Sequence, residues 1–218
     1  IAALGVCKRM HSLVLVGVDK LTKKSLIHLG ESPASKSLTN LNVSGRYNVS
    51  NSGLNIFYGI ASITNQGGTA LSKMKNLTSL NLCGLFQIGD ASLQSIGRHC
   101  CKLLDLNVSG CGNVNNNSIK TIAAHLTKLQ VLNLSGCVDV GDDGLGYLGG
   151  FLRTDIEPSY RSKDAVVTLT DLNLFRCTLV TDVGLLHLRH CTKLVKLNIR
   201  CCKWITDRAF CGLAPSLP

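Results

Sequence analysis

Eleven cysteines and six histidines carry most of the reactive chemistry available to this 218-residue chain. A thiolate attacks as a nucleophile or holds a metal, and an imidazole serves as a general base, so their spacing decides between enzyme, metal site and scaffold. Structural zinc favours cysteines paired at C-x-x-C spacing, and no such pair occurs. The odd count and the adjacent pairs Cys100-Cys101 and Cys201-Cys202 argue against a disulfide framework. Packed, reduced thiols fit better, and they lead us to expect an intracellular protein of the cytoplasm and/or nucleus.

The histidines His11, His28, His99, His125, His187 and His190 are the candidate bases. Three of them recur in one context: Arg98-His99-Cys100-Cys101-Lys102-Leu103, Ala124-His125-Leu126-Thr127-Lys128-Leu129 and Arg189-His190-Cys191-Thr192-Lys193-Leu194. Recurrence in register predicts a polar group at the negative end of successive helices rather than a base in a pocket. Phosphate loops, G-x-S-x-G, H-E-x-x-H and dinucleotide fingerprints are missing from the sequence. We therefore expect no catalytic residue, no metal and no cofactor, and read the chain as not an enzyme.

The elements that position these residues follow from a period near 26. Lines starting at Met10, Leu38, Leu77, Leu103, Leu129, Leu169 and Leu194 read apolar-x-x-Leu-x-apolar, with steps of 28, 39, 26, 26, 40 and 25 residues. Eight residues into each line stand Val18, Arg46, Leu85, Cys111, Cys137, Cys177 and Cys202, and three further on Leu21, Val49, Ile88, Val114, Val140, Val180 and Ile205. Next come Leu26, Leu54, Leu93, Ile119, Leu145, Leu185 and Phe210, then Leu29, Phe57, Ile96, Ile122, Leu148, Leu188 and Leu213. Alternation in the first half predicts a short strand, and apolar residues at i and i+3 in the second half predict one helix face. Thr181-Asp182, Thr206-Asp207 and Gly89-Asp90 fall between the two as helix starts. A strand-turn-helix unit cannot bury its apolar side alone, so the units must stack.

Leu169-Thr170-Asp171-Leu172-Asn173-Leu174-Phe175-Arg176-Cys177, followed by Val180-Thr181-Asp182-Val183-Gly184-Leu185-Leu186-His187-Leu188, resembles the cysteine-containing leucine-rich repeat, L-x-x-L-x-L-x-x-C and then I-T-D-x-G-L-x-x-L. The resemblance implies an α/β leucine-rich-repeat solenoid, or horseshoe, with parallel strands on the concave face and helices on the convex face. It further implies F-box/leucine-rich-repeat proteins, the substrate-recognition subunits of SCF-type (Skp1-cullin-F-box) ubiquitin ligases. The alternative within the same subclass is a repeat-only scaffold similar to mitotic-exit antagonists, with no ligase attached. Skp1 and cullin would be reached only through an F-box outside this chain.

We expect one domain over 1–218, of seven or eight repeats. Lacking an initiator Met and stopping inside an apparent repeat at Ala214-Pro215-Ser216-Leu217-Pro218, the chain reads as cut from a longer protein at both ends. An irregular segment falls near 55–76, where Arg46 occupies an apolar column and Ile63-Thr64-Asn65 starts a second turn-and-helix signature. Leu54-Asn55-Ile56-Phe57 is there either a helix start or an extra strand. Residues 151–167, with Pro158 and mixed charges, read as an inserted loop.

Strand residues beside the buried pair face away from the core, and one such column is Asn in six of seven lines: Asn42, Asn81, Asn107, Asn133, Asn173 and Asn198. These side chains either bond amide to amide along the sheet or form a polar trough for an extended partner. Asp105 and Asp171 flank them. Toward the C-terminus Phe175, Arg176, Lys196 and Arg200 replace Ser and Gly, a composition suited to an acidic or phosphorylated protein segment. The partner surface is therefore expected at Asn81, Asp105, Asn107, Asn133, Asp171, Asn173, Phe175, Arg176, Lys196, Asn198 and Arg200. The net charge of +10 is spread along the chain and aromatics are 5%, which argues against nucleic acid. No apolar run is long enough to span a bilayer.

Overall fold

The structure, a computed structural model, describes residues 6–18, 20–49, 55–58, 63–150 and 168–213. Seven strands form one open sheet: β1 (Ser12–Val14), β2 (Asn40–Asn42), β5 (Ser79–Asn81), β6 (Asp105–Asn107), β7 (Val131–Asn133), β8 (Asp171–Asn173) and β9 (Lys196–Asn198). Every neighbouring pair is parallel and in register, so Leu41 lies beside Leu80, Leu80 beside Leu106, and Leu106 beside Leu132. Each strand begins two residues after the leading apolar residue of its line, as the alternation predicts.

Helices α1 (Lys23–Glu31), α2 (Asn65–Leu71), α3 (Asp90–His99), α4 (Asn116–His125), α5 (Asp142–Leu148), α6 (Asp182–His187) and α7 (Asp207–Leu213) each pack on the next in chain order. Between the helix row and the sheet lies one continuous core. The leucines at the repeat starts, Leu38, Leu77, Leu103, Leu129 and Leu169, are fully buried there, as are Leu26, Ile119, Leu145 and Leu185 on the helices. The apolar columns open toward the ends of the stack, where Val18 is 40% and Phe210 50% exposed because no further repeat is described beside them. Parallel strands need a crossover, and here the helix supplies it, always on the same side of the sheet.

The second line departs from its expected columns. Arg46–Val49 is a strand (β3) that pairs antiparallel with Asn55–Tyr58 (β4), Arg46 opposite Tyr58 and Val49 opposite Asn55. Val49 and Phe57 therefore belong to this antiparallel pair and not to the seven-stranded sheet; Leu54 lies outside the described residues, and Asn55–Tyr58 is a strand. The 39-residue step from Leu38 to Leu77 holds half a repeat more than the 26-residue unit, and this pair lies within the excess. Fully buried Ile63 and Leu71 then restore the columns through α2. Gly68 stands where the other helices carry Leu, Ile or Phe: a Cβ there would lie 2.3 Å from Ser92 Oγ and 2.6 Å from Ile88 Cδ1, so α2 packs on α3 only with glycine.

The expected loop at 151–167 lies outside the described residues. The Thr168 hydroxyl donates to the Leu129 carbonyl of the preceding repeat at 2.7 Å. Among the described residues no helix is long and apolar enough to cross a membrane.

Candidate functional site

The Asn column does not form an amide ladder. Each Asn turns its Oδ1 back onto the backbone two residues on, accepting from Ser44 N, Cys83 N, Ser109 N, Ser135 N, Phe175 N and Arg200 N at 2.9–3.1 Å. An Asx turn of this kind ends the strand and starts the bend toward the helix. It also fixes the orientation of each amide: with Oδ1 held, the Nδ2 group is the end left for a ligand on the strand face. Asn81, Asn107, Asn133, Asn173 and Asn198 are half-buried on that face, as an accessible yet held side chain should be.

Four residues later the cysteine column turns inward. Cys111, Cys137 and Cys177 are fully buried and Cys202 is 8% exposed. Their Sγ atoms donate to the carbonyls of Leu82, Val108, Leu134 and Leu174 in the preceding repeat at 3.2, 3.3, 3.2 and 3.1 Å. Burial pushes the Cys111, Cys137 and Cys177 thiols well above the ordinary range, which disfavours the reactive thiolate, and raises Cys202 in the same direction. Cys100 and Cys191, in the loops after the helices, are likewise buried, with their thiols pushed up to about 12 and about 11. Cys201, one residue before the column, is exposed, and Cys83, two residues before it, is half-buried. Among the described residues no group of His, Cys, Asp or Glu is placed to hold a metal.

The first residue of each helix from α2 to α6 fastens the next repeat. Asn65 Oδ1 accepts from Gly89 N and Ser92 Oγ, Asp90 from Asn115 Nδ2 and Ser118 Oγ, and Asn116 Oδ1 from Gly141 N and Gly144 N. Asp142 takes the N–H of Thr181 at 2.8 Å and its hydroxyl at 2.6 Å, and Asp182 takes those of Thr206 at 2.7 and 2.6 Å. Thr181 Oγ1 in turn accepts from Val183 N and so caps α6. The Thr-Asp signature is thus an inter-repeat fastener as well as a cap. Donation from the Thr206 hydroxyl and N–H holds the Asp182 carboxyl below the usual range. The histidines also find structural partners at helix ends: His99 Nδ1 meets the Ser95 carbonyl at 2.8 Å and His125 Nδ1 the Thr121 carbonyl at 3.0 Å.

All eleven expected site residues lie on the strand face or in the turns at its edge, and they are not equivalent. Ser79 Oγ donates to Asp105 at 3.2 Å. Lys196 Nζ sits 3.0 Å from Asp171, whose carboxyl is lowered first by the Thr170 hydroxyl and then by Lys196. Lys196 is therefore already neutralised and offers a partner less than its charge suggests. Phe175 and Arg176 stack, the guanidinium 5.3 Å from the ring centroid. Arg176 has φ 60°, in the position where Gly17, Gly84, Gly110 and Gly136 have φ 67–74°, and Cys201 follows at 63°. For a side chain other than glycine this left-handed backbone costs roughly 1–2 kcal/mol.

Two hollows lie on the strand face. One, of about 390 Å³, is bordered by Asn42, Asn81, Asp105, Asn107 and Asn133. The other, of about 570 Å³, is bordered by Asn133, Asp171, Asn173, Lys196 and Asn198. A larger hollow of about 1040 Å³ opens beside Glu31, Pro33, Lys36 and Lys73, where Lys73 pairs with Glu31 at 2.8 Å. The strand face, not that larger space, carries the repeated donors. Sequence reasoning passed over Trp204, 65% exposed at the rim. Its signal is positional: two residues past the cysteine column, Gln87, Asn113, Asp139 and Leu179 precede it in the other repeats.

A family model described as leucine-rich repeat matches residues 125–149, 167–188 and 190–209. No curated protein sequence matches the chain. Among solved structures, internalin C2 of Listeria monocytogenes is similar with a TM-score of 0.50 at 16% identity, over 94% of this chain and 77% of that one. Internalin F of the same organism gives 0.47 at 16%, over 91% of this chain, which spans half the length of that structure. The yeast Rad7 and Elc1 complex gives 0.39 at 14%, over all of this chain and 70% of that one. Repeat matches in three successive units, parallel strands in register and one helix per crossover make this chain a leucine-rich-repeat solenoid, a fold whose repeats serve as a protein-interaction module.

Proposed function

We propose that the chain is the substrate-recognition region of an SCF-type ubiquitin-ligase adaptor, acting in ubiquitin-dependent protein catabolism. The observation that supports this reading is the coupling of a column cysteine to a Thr-Asp helix start, as in Cys177 with Thr181-Asp182, where each member has a distinct packing partner in the neighbouring repeat. That pair is what makes the sequence resemble the cysteine-containing subclass. The concave strand face binds a protein substrate, and an F-box on the same polypeptide ties it to Skp1 and cullin. Ubiquitin transfer is then accelerated by proximity, with no reacting group supplied by these residues.

The test is affinity purification of the full-length protein from cells. Skp1 and cullin in the eluate support the adaptor reading. A full-length protein that retains other partners but never Skp1 is instead a repeat scaffold without a ligase.

A further inference from the structure

We propose that the edge of the solenoid where each helix returns to the next strand docks an extended, Asp/Glu-rich segment of a partner protein, centred on the hollow bordered by Lys8, Lys36 and Lys75. This goes beyond the reading above, because the surface is not the concave wall and serves with or without an attached ligase.

Three observations carry it. First, the stack gathers charge that the sequence disperses. The returning loops lie side by side in a ladder of backbone bonds: Thr78 N donates to the Thr39 carbonyl, Leu104 N to that of Thr78, and Gln130 N to that of Leu104, each at 2.8 Å. Just ahead of these rungs stand Lys36, Lys75, Lys102 and Lys128, one in each of four successive loops and all exposed. Rungs about 4.8 Å apart lie inside the Debye length of about 8 Å at physiological ionic strength, so the potentials of neighbouring lysines add.

Second, the charge is uncompensated. Among the described residues the returning loops hold no carboxylate, and Glu31, the last residue of α1, is already paired with Lys73 at 2.8 Å. Asp90, Asp142, Asp182 and Asp207 open their helices at the opposite edge, while Asp105 and Asp171 stand on the strand face. Lys8, Lys36, Lys75 and Lys102 therefore keep their full charge for a ligand.

Third, the lysines surround a recess. It measures about 1040 Å³, and Lys8, Lys36, Lys73 and Lys75 come to its border from three successive loops. Asn76 ties two of the rungs together there: its Nδ2 donates to the Lys36 carbonyl at 2.8 Å, and its Oδ1 accepts from Lys102 Nζ at 2.7 Å, which holds a further ammonium at the border.

The chemistry selects the occupant. A recess admits a chain, whereas a duplex or a bilayer would bridge its mouth. Among the described residues bordering it none is aromatic, so an unpaired base has nothing to stack on. Lysine ammoniums are point charges on flexible stems, suited to carboxylates presented at uneven intervals. A run of Asp and Glu laid along the stack meets one such charge at each of the four rungs.

The experiment measures binding of the full-length protein to a labelled peptide of mixed Asp and Glu, beside its Asn/Gln counterpart, by fluorescence anisotropy at low and high salt. The acidic peptide should bind about tenfold tighter at low salt and lose most of that margin at high salt. Lys36→Gln and Lys75→Gln, which break no described side-chain bond, should each weaken it about twofold to fivefold. Combined with Lys102→Gln they should abolish the preference, while Lys203→Gln at the opposite edge leaves it intact. Equal binding of the two peptides overturns the proposal, as does a preference that survives the triple substitution. A DNA duplex, a single-stranded RNA or phosphatidylserine vesicles held more tightly than the acidic peptide, and released by the same substitutions, also overturn it by giving the edge a different occupant.

Discussion

Cys177 Sγ lies 3.2 Å from the carbonyl oxygen of Leu134 in the preceding repeat, with both residues fully buried. The thiol fills space and adds a second donor to a carbonyl that already accepts from Cys137 N at 2.9 Å, two tasks that no aliphatic residue performs together. Replacing it by Ala leaves a small void and removes one of the two donors to that carbonyl. We expect a loss of about 0.5–1.5 kcal/mol on chemical denaturation. Stability unchanged by Cys177→Ala would mean the bond contributes nothing.

Native thiol titration with an aromatic disulfide should label Cys7, Cys101, Cys201 and Cys211, the exposed set, before any other. Cys111, Cys137 and Cys177, shielded and with thiol acidity suppressed by burial, should react only after denaturant is added. Rapid native labelling of the column would contradict the described packing.

Asp182 gives a pH dependence with a definite sign. Its folded-state pKa is depressed below the ordinary value of 3.8 by the Thr206 hydroxyl and N–H, so its contribution is present above that value and fades as pH falls through the lower folded one. Melting temperature should drop more steeply below about pH 4 in the wild type than in Asp182→Asn. Asparagine at this site keeps an acceptor, as Asn116 does toward Gly141 and Gly144, so the variant should fold. Parallel acid limbs in the two proteins would remove Asp182 from the account.

Leu132 sits in the centre of the sheet, 1% exposed, between Leu106 and Leu172. Leu132→Ala should cost about 2–5 kcal/mol in equilibrium unfolding. Val195→Ala, at a site 74% exposed, should change stability by under about 0.5 kcal/mol. Similar costs at the two positions would mean the core is not where the structure puts it.

Charge reversal separates the two basic wall residues. Arg200→Glu, in a residue with no described acidic partner, should weaken partner binding at least tenfold with little change in thermal unfolding. Lys196→Glu places two carboxylates where an ion pair stood at 3.0 Å, so it should affect stability as well. Binding assays beside calorimetry check the distinction, and unaltered affinity in Arg200→Glu would retire the rim.

The sequence by itself determined the solenoid. Leucines at Leu77, Leu103 and Leu129 recur at a step that fits only a strand and a helix per turn, because the side-chain periods of the two elements are fixed by backbone geometry. It also placed the cysteine column inward and the Asn column outward. Three things were decided only by tertiary structure. Residues 46–49 and 55–58 could continue the columns or leave them, and they pair antiparallel with each other in a sheet of their own. The Asn side chains had two satisfactory partners in principle, and the turn geometry after each strand gave them to the local backbone rather than to one another. Lys196 and Arg200 look alike in sequence, yet the strand register sets Asp171 against the first and no described carboxylate against the second. Local periodicity fixes which face a residue joins, while its partner is a matter of which repeat lies alongside, and that information is written across the stack rather than within any one unit.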